Sequence, residues 1–77
     1  MLEQMRDLIL QYVEAKPEDI TPEARFIEDL HFNSYDFMSL LGELEEKLGV
    51  TVDEQEVLEL HTVGEAIAYV KKLRGEE

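Results

Sequence analysis

The sequence predicts an all-α fold: a four-helix bundle with three main helices, one short helix and a long, ordered first loop. Three stretches of its 77 residues repeat apolar side chains at helical spacing. A fourth stretch carries the start signal of a short helix. The chain contains no cysteine, so packing alone must stabilise this small domain, without disulfides or thiolate metal sites.

The first two helical patterns each place their apolar residues on one face. The first comprises Leu2, Met5, Ile9, Tyr12 and Val13. It is expected to end near Lys16, because the residue before Pro17 avoids the helical region. The second comprises Phe37, Leu40, Leu41, Leu44 and Leu48. Gly49 follows directly, at a position where helices commonly end.

The last pattern comprises Val63, Ala66, Ile67, Val70 and Leu73. Thr62 and Glu65 have the spacing of a capping box at its start. Asp53 and Glu56 have the same spacing just before a short apolar group, so a short helix is expected there. Its candidates for burial are Val57, Leu58 and Leu60.

Residues 16–33 form a connection that is longer than usual between bundle helices. Five apolar residues are expected to anchor it to the core: Ile20, Phe26, Ile27, Leu30 and Phe32. Thr21 followed by Pro22 has the cap-then-first-residue order of a one-turn helix. A long, anchored loop that leads to Asn33 and Ser34 suggests a functional role.

The charge balance limits the classes of partner. Seven Lys and Arg against nineteen Asp and Glu give a net charge of −12 at pH 7. Such a surface repels nucleic acid and anionic lipid, and it attracts basic protein surfaces. No apolar run approaches the length of a membrane span, and the N-terminal stretch lacks the features of a signal peptide. We expect a single domain over residues 1–77, in the cytoplasm.

The sequence offers little for metal binding or catalysis. His31 and His61 are far apart in the chain and lack the spacing of metal ligands, so no metal site is expected. The acidic run at 53–59 lacks the central glycine and alternating ligands of a calcium loop. No nucleophile-elbow, P-loop or Rossmann glycine pattern is present. We therefore expect a protein that is not an enzyme.

Ser34 is the residue that most suggests a chemical role. Asn33 is the better helix cap, because its third following residue, Asp36, suits the helix dipole. Ser34 then falls at the first helical position. Its hydroxyl is expected to be free and close to backbone N–H groups that favour a phosphate.

Tyr35 and Met38 lie off the apolar stripe of the second helix and are expected to be half-exposed. Periodicity alone leaves two roles open: covering the long loop, or forming an apolar contact patch beside Ser34. Residues 34–60 also hold eight acids and one base, Lys47. The acids are Asp36, Glu43, Glu45, Glu46, Asp53, Glu54, Glu56 and Glu59. Together these features indicate a surface for docking a basic partner.

The stretch "FIEDLHFNSYDFMSLLGELEEKLGVTVDEQEVLELHTVGEAIAYVKKL" resembles the acyl carrier proteins. The likeness extends over essentially the whole chain. It implies a four-helix bundle in which Ser34 receives 4′-phosphopantetheine from coenzyme A, with catalysis supplied by a separate phosphopantetheinyl transferase. The thiol of the arm would carry acyl groups as thioesters and deliver them to the enzymes of fatty acid or polyketide-type biosynthesis. The growing chain could tuck among the core helices.

The resemblance also implies partners and contact positions. The partners would be acyl-transferring and chain-extending enzymes with basic docking surfaces, and the carrier itself is expected to be a monomer. The implied contact residues are Tyr35, Asp36, Met38, Glu43, Glu46, Asp53, Glu54 and Glu56.

The chain departs from the family pattern at two positions, and two other functions stay open. Asn33 stands where Asp is usual, and Tyr35 stands where Leu or Met is usual. These departures bear on the choice of transferase and partner, and they leave room for a specialised pathway, either secondary-metabolite or aminoacyl and peptidyl. An acidic adaptor without a prosthetic group is the alternative from another class. A small hydrolase that uses Ser34 lacks a residue placed by sequence to activate the hydroxyl.

Overall fold

Four α-helices form the framework of the protein. The computed structural model describes residues 1–75, and within them it contains no strand. The helices are α1 (Leu2–Ile9), α2 (Ser34–Leu48), α3 (Glu54–Val57) and α4 (Val63–Leu73). Helix α1 packs against both α2 and α4. The predicted all-α fold, with three main helices and one short helix, is confirmed.

The starts of three helices follow from side-chain caps that the sequence predicted. Asn33 caps α2, Asp53 caps α3, and Thr62 forms a complete capping box with Glu65 at the start of α4. Helix α2 ends at Gly49, which adopts a left-handed conformation with φ 66° and donates its N–H to the carbonyl of Glu45. Local chemistry therefore fixes the boundaries of the helix that begins at Ser34.

The core is shared between the helices and the long first loop. The helices contribute Met5, Leu8, Ile9, Leu40, Leu41, Leu44, Val57, Val63, Ala66, Tyr69 and Val70. The loop contributes Ile20, Ala24, Phe26, Leu30 and Phe32. Because the loop supplies about a third of the buried side chains, it is part of the packed structure and holds the chain in place before α2.

Backbone hydrogen bonds attach the first loop to the start of α4. Arg25 and Thr62 form an isolated antiparallel β-bridge. On either side of it, the Phe26 N–H donates to the His61 carbonyl and the Val63 N–H donates to the Ala24 carbonyl, each at 2.9 Å. The expectation of an ordered, anchored loop is confirmed.

The predicted end of the first helix is wrong. Helix α1 ends at Ile9 rather than near Lys16. Beyond it, the N–H groups of Gln11 and Tyr12 bond to carbonyls three residues back instead of four, so the chain tightens into turns. A proline limits how far a helix can extend, but it does not make the residues before it helical.

Three other expectations also need correction. Thr21 and Pro22 begin a turn, in which the Ala24 N–H donates to the Thr21 carbonyl, and not a one-turn helix. A short 3₁₀ helix forms earlier, at Pro17–Asp19. Ile27 and Leu58 are exposed rather than buried. Periodicity over such short segments does not determine which side chain faces the core.

Candidate functional site

Ser34 is the first residue of α2, and its side chain is exposed. The cap before it is Asn33, whose side-chain Oδ1 accepts the Asp36 N–H at 2.7 Å. The division of roles predicted from sequence is therefore confirmed: Asn33 caps the helix and Ser34 does not. Within residues 1–75 the Ser34 hydroxyl makes no hydrogen bond, so it is available for chemistry.

Aromatic packing holds the turn that leads into Ser34. Phe32 is buried, and its N–H donates to the Phe26 carbonyl at 2.9 Å. The rings of Phe26 and Phe32 meet edge to face with centroids 5.5 Å apart, and the ring of Phe37 packs against Phe26 at a tilt of 57°, with centroids 5.1 Å apart. His31 absorbs the change of direction with a positive φ of 61°. The entry to α2 is thus fixed on both sides of Ser34.

The first turn of α2 suits a phosphate group. Within the described residues, the backbone N–H groups of Ser34 and Tyr35 have no hydrogen-bond partner, as is usual at a helix start. Such N–H groups, together with the positive end of the helix dipole, favour a bound phosphate. A phosphodiester on the Ser34 hydroxyl would therefore fit this position.

Tyr35 and Met38 are exposed beside Ser34. Their exposed fractions are 80% and 44%. At about 100° per residue, they share the solvent-facing side of α2 with Gly42 and Glu46, opposite the buried leucines. The predicted half-exposure is confirmed for Met38, and Tyr35 is more exposed than predicted. Within the described chain, these apolar groups remain available for contact with another molecule.

Asp36 and Glu43 lie on the flank of α2 that faces the end of the first helical segment. They are seven residues apart and so share one line along the helix. The Tyr12 hydroxyl donates to Oε1 of Glu43, and this hydrogen bond is the main reason that the pKa of Tyr12 is raised to about 12. The Glu43 carboxylate therefore accepts a hydrogen bond within the fold, whereas that of Glu46 makes none within residues 1–75.

The start of α3 uses acids that the sequence analysis assigned to docking. Asp53 accepts hydrogen bonds from the N–H groups of Gln55 and Glu56 at 2.8 and 3.2 Å. Glu45, on the other flank of α2 from Glu43, accepts the Val52 N–H at 3.0 Å. These acids therefore maintain the local fold as well as adding negative charge.

The remaining acids of this region are more available. The carboxylates of Glu46, Glu54 and Glu59 are exposed and make no hydrogen bond within residues 1–75. Glu54 and Glu59 lie on and just after α3, and Glu46 lies on the face of α2 that carries Tyr35 and Met38. We call Tyr35, Met38, Glu46, Glu54 and Glu59 the α2–α3 surface.

Three residues have structural roles in this region that were not predicted from sequence. They are Tyr12, Glu45 and Tyr69, and the hydroxyl of Tyr69 bonds to Asp53 and Glu56 at the start of α3. Each acts on a partner that is 7 to 31 residues away, so no local motif marks it. The one available signal for the tyrosines was that a tyrosine on an apolar face needs a partner for its hydroxyl.

No group of three or more His, Asp or Glu side chains within residues 1–75 could hold a metal ion. No helix in the same range combines the length and apolar character needed to cross a membrane.

Comparisons with known proteins identify a family and several named relatives. The sequence model of a family described as "Phosphopantetheine attachment site" matches residues 3–70. The chain is 37% identical over 71 residues to a protein of Borreliella burgdorferi named "Acyl carrier protein", covering 92% of this chain and 89% of the relative.

A second relative has a more specific name. The chain is 31% identical over 72 residues to the "Meromycolate extension acyl carrier protein" of Mycolicibacterium aurum, covering 94% of this chain and 74% of the relative. The family match and the alignments with these relatives each cover nearly the whole length of the chain. The protein therefore belongs to the acyl carrier protein family, whose members carry acyl groups as thioesters on a 4′-phosphopantetheine group.

Proposed function

We propose that Ser34 is the residue to which 4′-phosphopantetheine is attached. The observation that carries the proposal is the exposed, unbonded hydroxyl at the first position of α2, behind the cap made by Asn33. The chain has only one other serine, Ser39, which is half-buried in the middle of α2. Ser34 is thus the better placed of the two to act as a nucleophile.

In this proposal the chain presents the arm and does not catalyse. When attached, the arm supplies a thiol that forms thioesters with acyl groups. No histidine or carboxylate within residues 1–75 bonds to the Ser34 hydroxyl, so its activation must come from a separate transferase. The same proposal includes a single domain over residues 1–77 that is monomeric and cytoplasmic. It is supported by the charge balance and the sequence features described above.

The partners in this proposal are the transferase and the acyl-transferring and chain-extending enzymes. The α2–α3 surface combines two exposed apolar side chains with exposed carboxylates, which suits enzymes that present Arg and Lys around an apolar patch. Asp36, Glu43, Asp53 and Glu56 stay predicted contacts, although three of them also have bonds within the fold. The name of the mycobacterial relative supports a fatty-acid-type or polyketide-type pathway.

The attachment site is tested by measuring the intact mass. The purified chain is incubated with coenzyme A and a broad-specificity phosphopantetheinyl transferase. We expect the wild type and Ser39→Ala to gain one phosphopantetheine group and Ser34→Ala to gain none. Modification of Ser34→Ala, or a wild type that stays unmodified, would overturn the proposal.

A complementation assay separates this function from that of an adaptor without a prosthetic group. In a host whose own carrier is depleted, Ser34→Ala is expected to lose activity completely while Ser39→Ala keeps it. If Ser34→Ala supported growth as well as the wild type, the acidic surface alone would be sufficient for function.

A further inference from the structure

We propose that Tyr69 of α4 is the positioning residue that holds α3 in the orientation used for docking. The docking role of α3 rests on the function proposed above. The position of α3 is a property of this chain that can be measured without any partner. The inference concerns a side chain that lies behind the α2–α3 surface and does not belong to it.

The hydroxyl of Tyr69 bonds to both ends of the first turn of α3. It accepts the backbone N–H of Asp53 at 2.9 Å and donates to Oε1 of Glu56 at 2.9 Å. In a usual capping box, the Glu56 side chain would bond directly to the Asp53 N–H. Here the phenol stands between them, so the cap of α3 is completed by a residue of α4.

The position of Tyr69 makes it a rigid anchor. Its side chain is only 8% exposed, and it lies in the buried face of α4 with Ala66 and Val70. Burial raises the pKa of Tyr69, while the hydrogen bond from Asp53 opposes the shift. The phenol therefore stays protonated at neutral pH and remains a donor to Glu56.

Helix α3 has few other attachments. It is four residues long, and its buried residue is Val57. Helices this short are not stable by themselves, so contacts with the rest of the protein must fix their position. Besides Val57, the attachments near α3 are the partly buried Val52 and Leu60, the Tyr69 bonds and the bond from the Val52 N–H to Glu45. Removal of the phenol hydroxyl should therefore loosen α3 selectively.

The variant Tyr69→Phe tests this directly, because it keeps the buried ring and removes only the hydroxyl. Tyr12→Phe is the matched control, since it removes a hydroxyl that also donates to a glutamate but does not touch α3. Amide hydrogen exchange is measured by NMR. We expect exchange at Asp53, Glu56 and Val57 to become about 10-fold faster in Tyr69→Phe, as for the loss of one or two buried hydrogen bonds. Amides of α2 should be unchanged.

The conservative variant Glu56→Gln distinguishes the position of α3 from the negative charge of Glu56. Its amide side chain can still accept the phenol hydrogen, so α3 should exchange as in the wild type. Unchanged exchange at α3 in Tyr69→Phe would overturn the proposal. If Tyr69→Phe fails to fold, Glu56→Ala removes one of the two phenol bonds from the α3 side without changing the core, and unchanged α3 exchange in that variant would overturn the role of the Tyr69–Glu56 bond in positioning α3.

The effect on docking is measured with the transferase and coenzyme A. We expect Tyr69→Phe to raise KM for the carrier several-fold with kcat unchanged, and to reach complete modification, while Ser39→Ala, which removes a half-buried hydroxyl with no role in docking, behaves as the wild type. Faster α3 exchange with an unchanged KM would overturn the link between α3 position and docking. Failure of the wild type to be modified at all would instead count against Ser34 as the attachment site, and the exchange result would stand.

Discussion

Gly64 shows how one residue can determine the fit between the first loop and α4. Its N–H donates to the carbonyl of Pro22 at 2.8 Å. A Cβ atom at this position would lie 2.9 Å from that same carbonyl oxygen and 3.2 Å from the Pro22 Cβ. The absence of a side chain is therefore what allows the loop and the helix to approach each other.

We predict that Gly64→Ala destabilises the fold by about 1–3 kcal/mol, the usual cost of forcing an extra carbon into a packed contact. Gly42 in α2 is the matched control, because a Cβ atom there meets nothing within 4 Å. Gly42→Ala should raise the free energy of unfolding by about 0.5–1 kcal/mol, since alanine is the better helix former. Urea denaturation of both variants measures the difference; equal effects would contradict the steric explanation.

At the residue scale, the predictions that held were those with local causes. Asn33 could be identified as the cap of α2 because the cap and the N–H that it accepts are three residues apart. The structural roles of Tyr12 and Tyr69 could not be predicted from the sequence, since their hydroxyls bond to residues 31 and 13 positions away. The number of acids was evident from the sequence. Which of them are used inside the fold depends on tertiary contacts.

At the element scale, the same distinction applies to the helix boundaries. The starts of α2, α3 and α4 and the end of α2 have side-chain caps or a glycine, and all four follow from the sequence. Helix α1 has no side-chain cap at its start and no glycine at its end. Its end at Ile9 depends on how the following turns bring Tyr12 onto Phe32, with ring centroids 6.1 Å apart.

The capping box of α4 should make the stability depend on pH. The Glu65 carboxylate accepts the N–H groups of His61 and Thr62 at 2.9 and 3.0 Å, and these bonds lower the pKa of Glu65 below 4.5. A lowered pKa in the folded state means that the unfolded state binds the proton more readily. The stabilisation is therefore present above about pH 4.5 and is lost as the pH falls through the folded-state pKa.

The variant Glu65→Gln tests this link. Its urea midpoint should lie below that of the wild type at pH 7, and the gap should shrink as the pH is lowered towards 3. Glu59→Gln is the control, because it removes the same charge from a carboxylate with no hydrogen bond within residues 1–75. A gap for Glu65→Gln that is as large at pH 3 as at pH 7 would show that the carboxylate does not stabilise the cap.

At the scale of the whole molecule, the negative charge is only partly compensated. The net charge is −12. The ion pairs of Arg25 with Glu28 and Asp29, at 3.2 and 3.1 Å, are exposed and lie in the first loop. Such pairs contribute little to stability. The acids of residues 34–60 therefore repel one another in the folded state, which is the cost of a surface suited to basic partners.

This repulsion predicts that salt stabilises the protein. Raising the ionic strength from about 0.01 M to 0.15 M shortens the screening length from about 30 Å to 8 Å, so repulsion between exposed carboxylates weakens. We expect the thermal midpoint to rise by several degrees, which for a domain of this size corresponds to about 1 kcal/mol. Divalent cations should act at lower concentration.

A triple variant with Glu46→Gln, Glu54→Gln and Glu59→Gln tests where the repulsion lies. It removes three charges from the α2–α3 surface and keeps the carboxylates that are hydrogen-bonded within the fold. It should melt higher than the wild type at low salt and respond less to added salt. Identical salt responses of the two proteins would show that the repulsion lies elsewhere on the molecule.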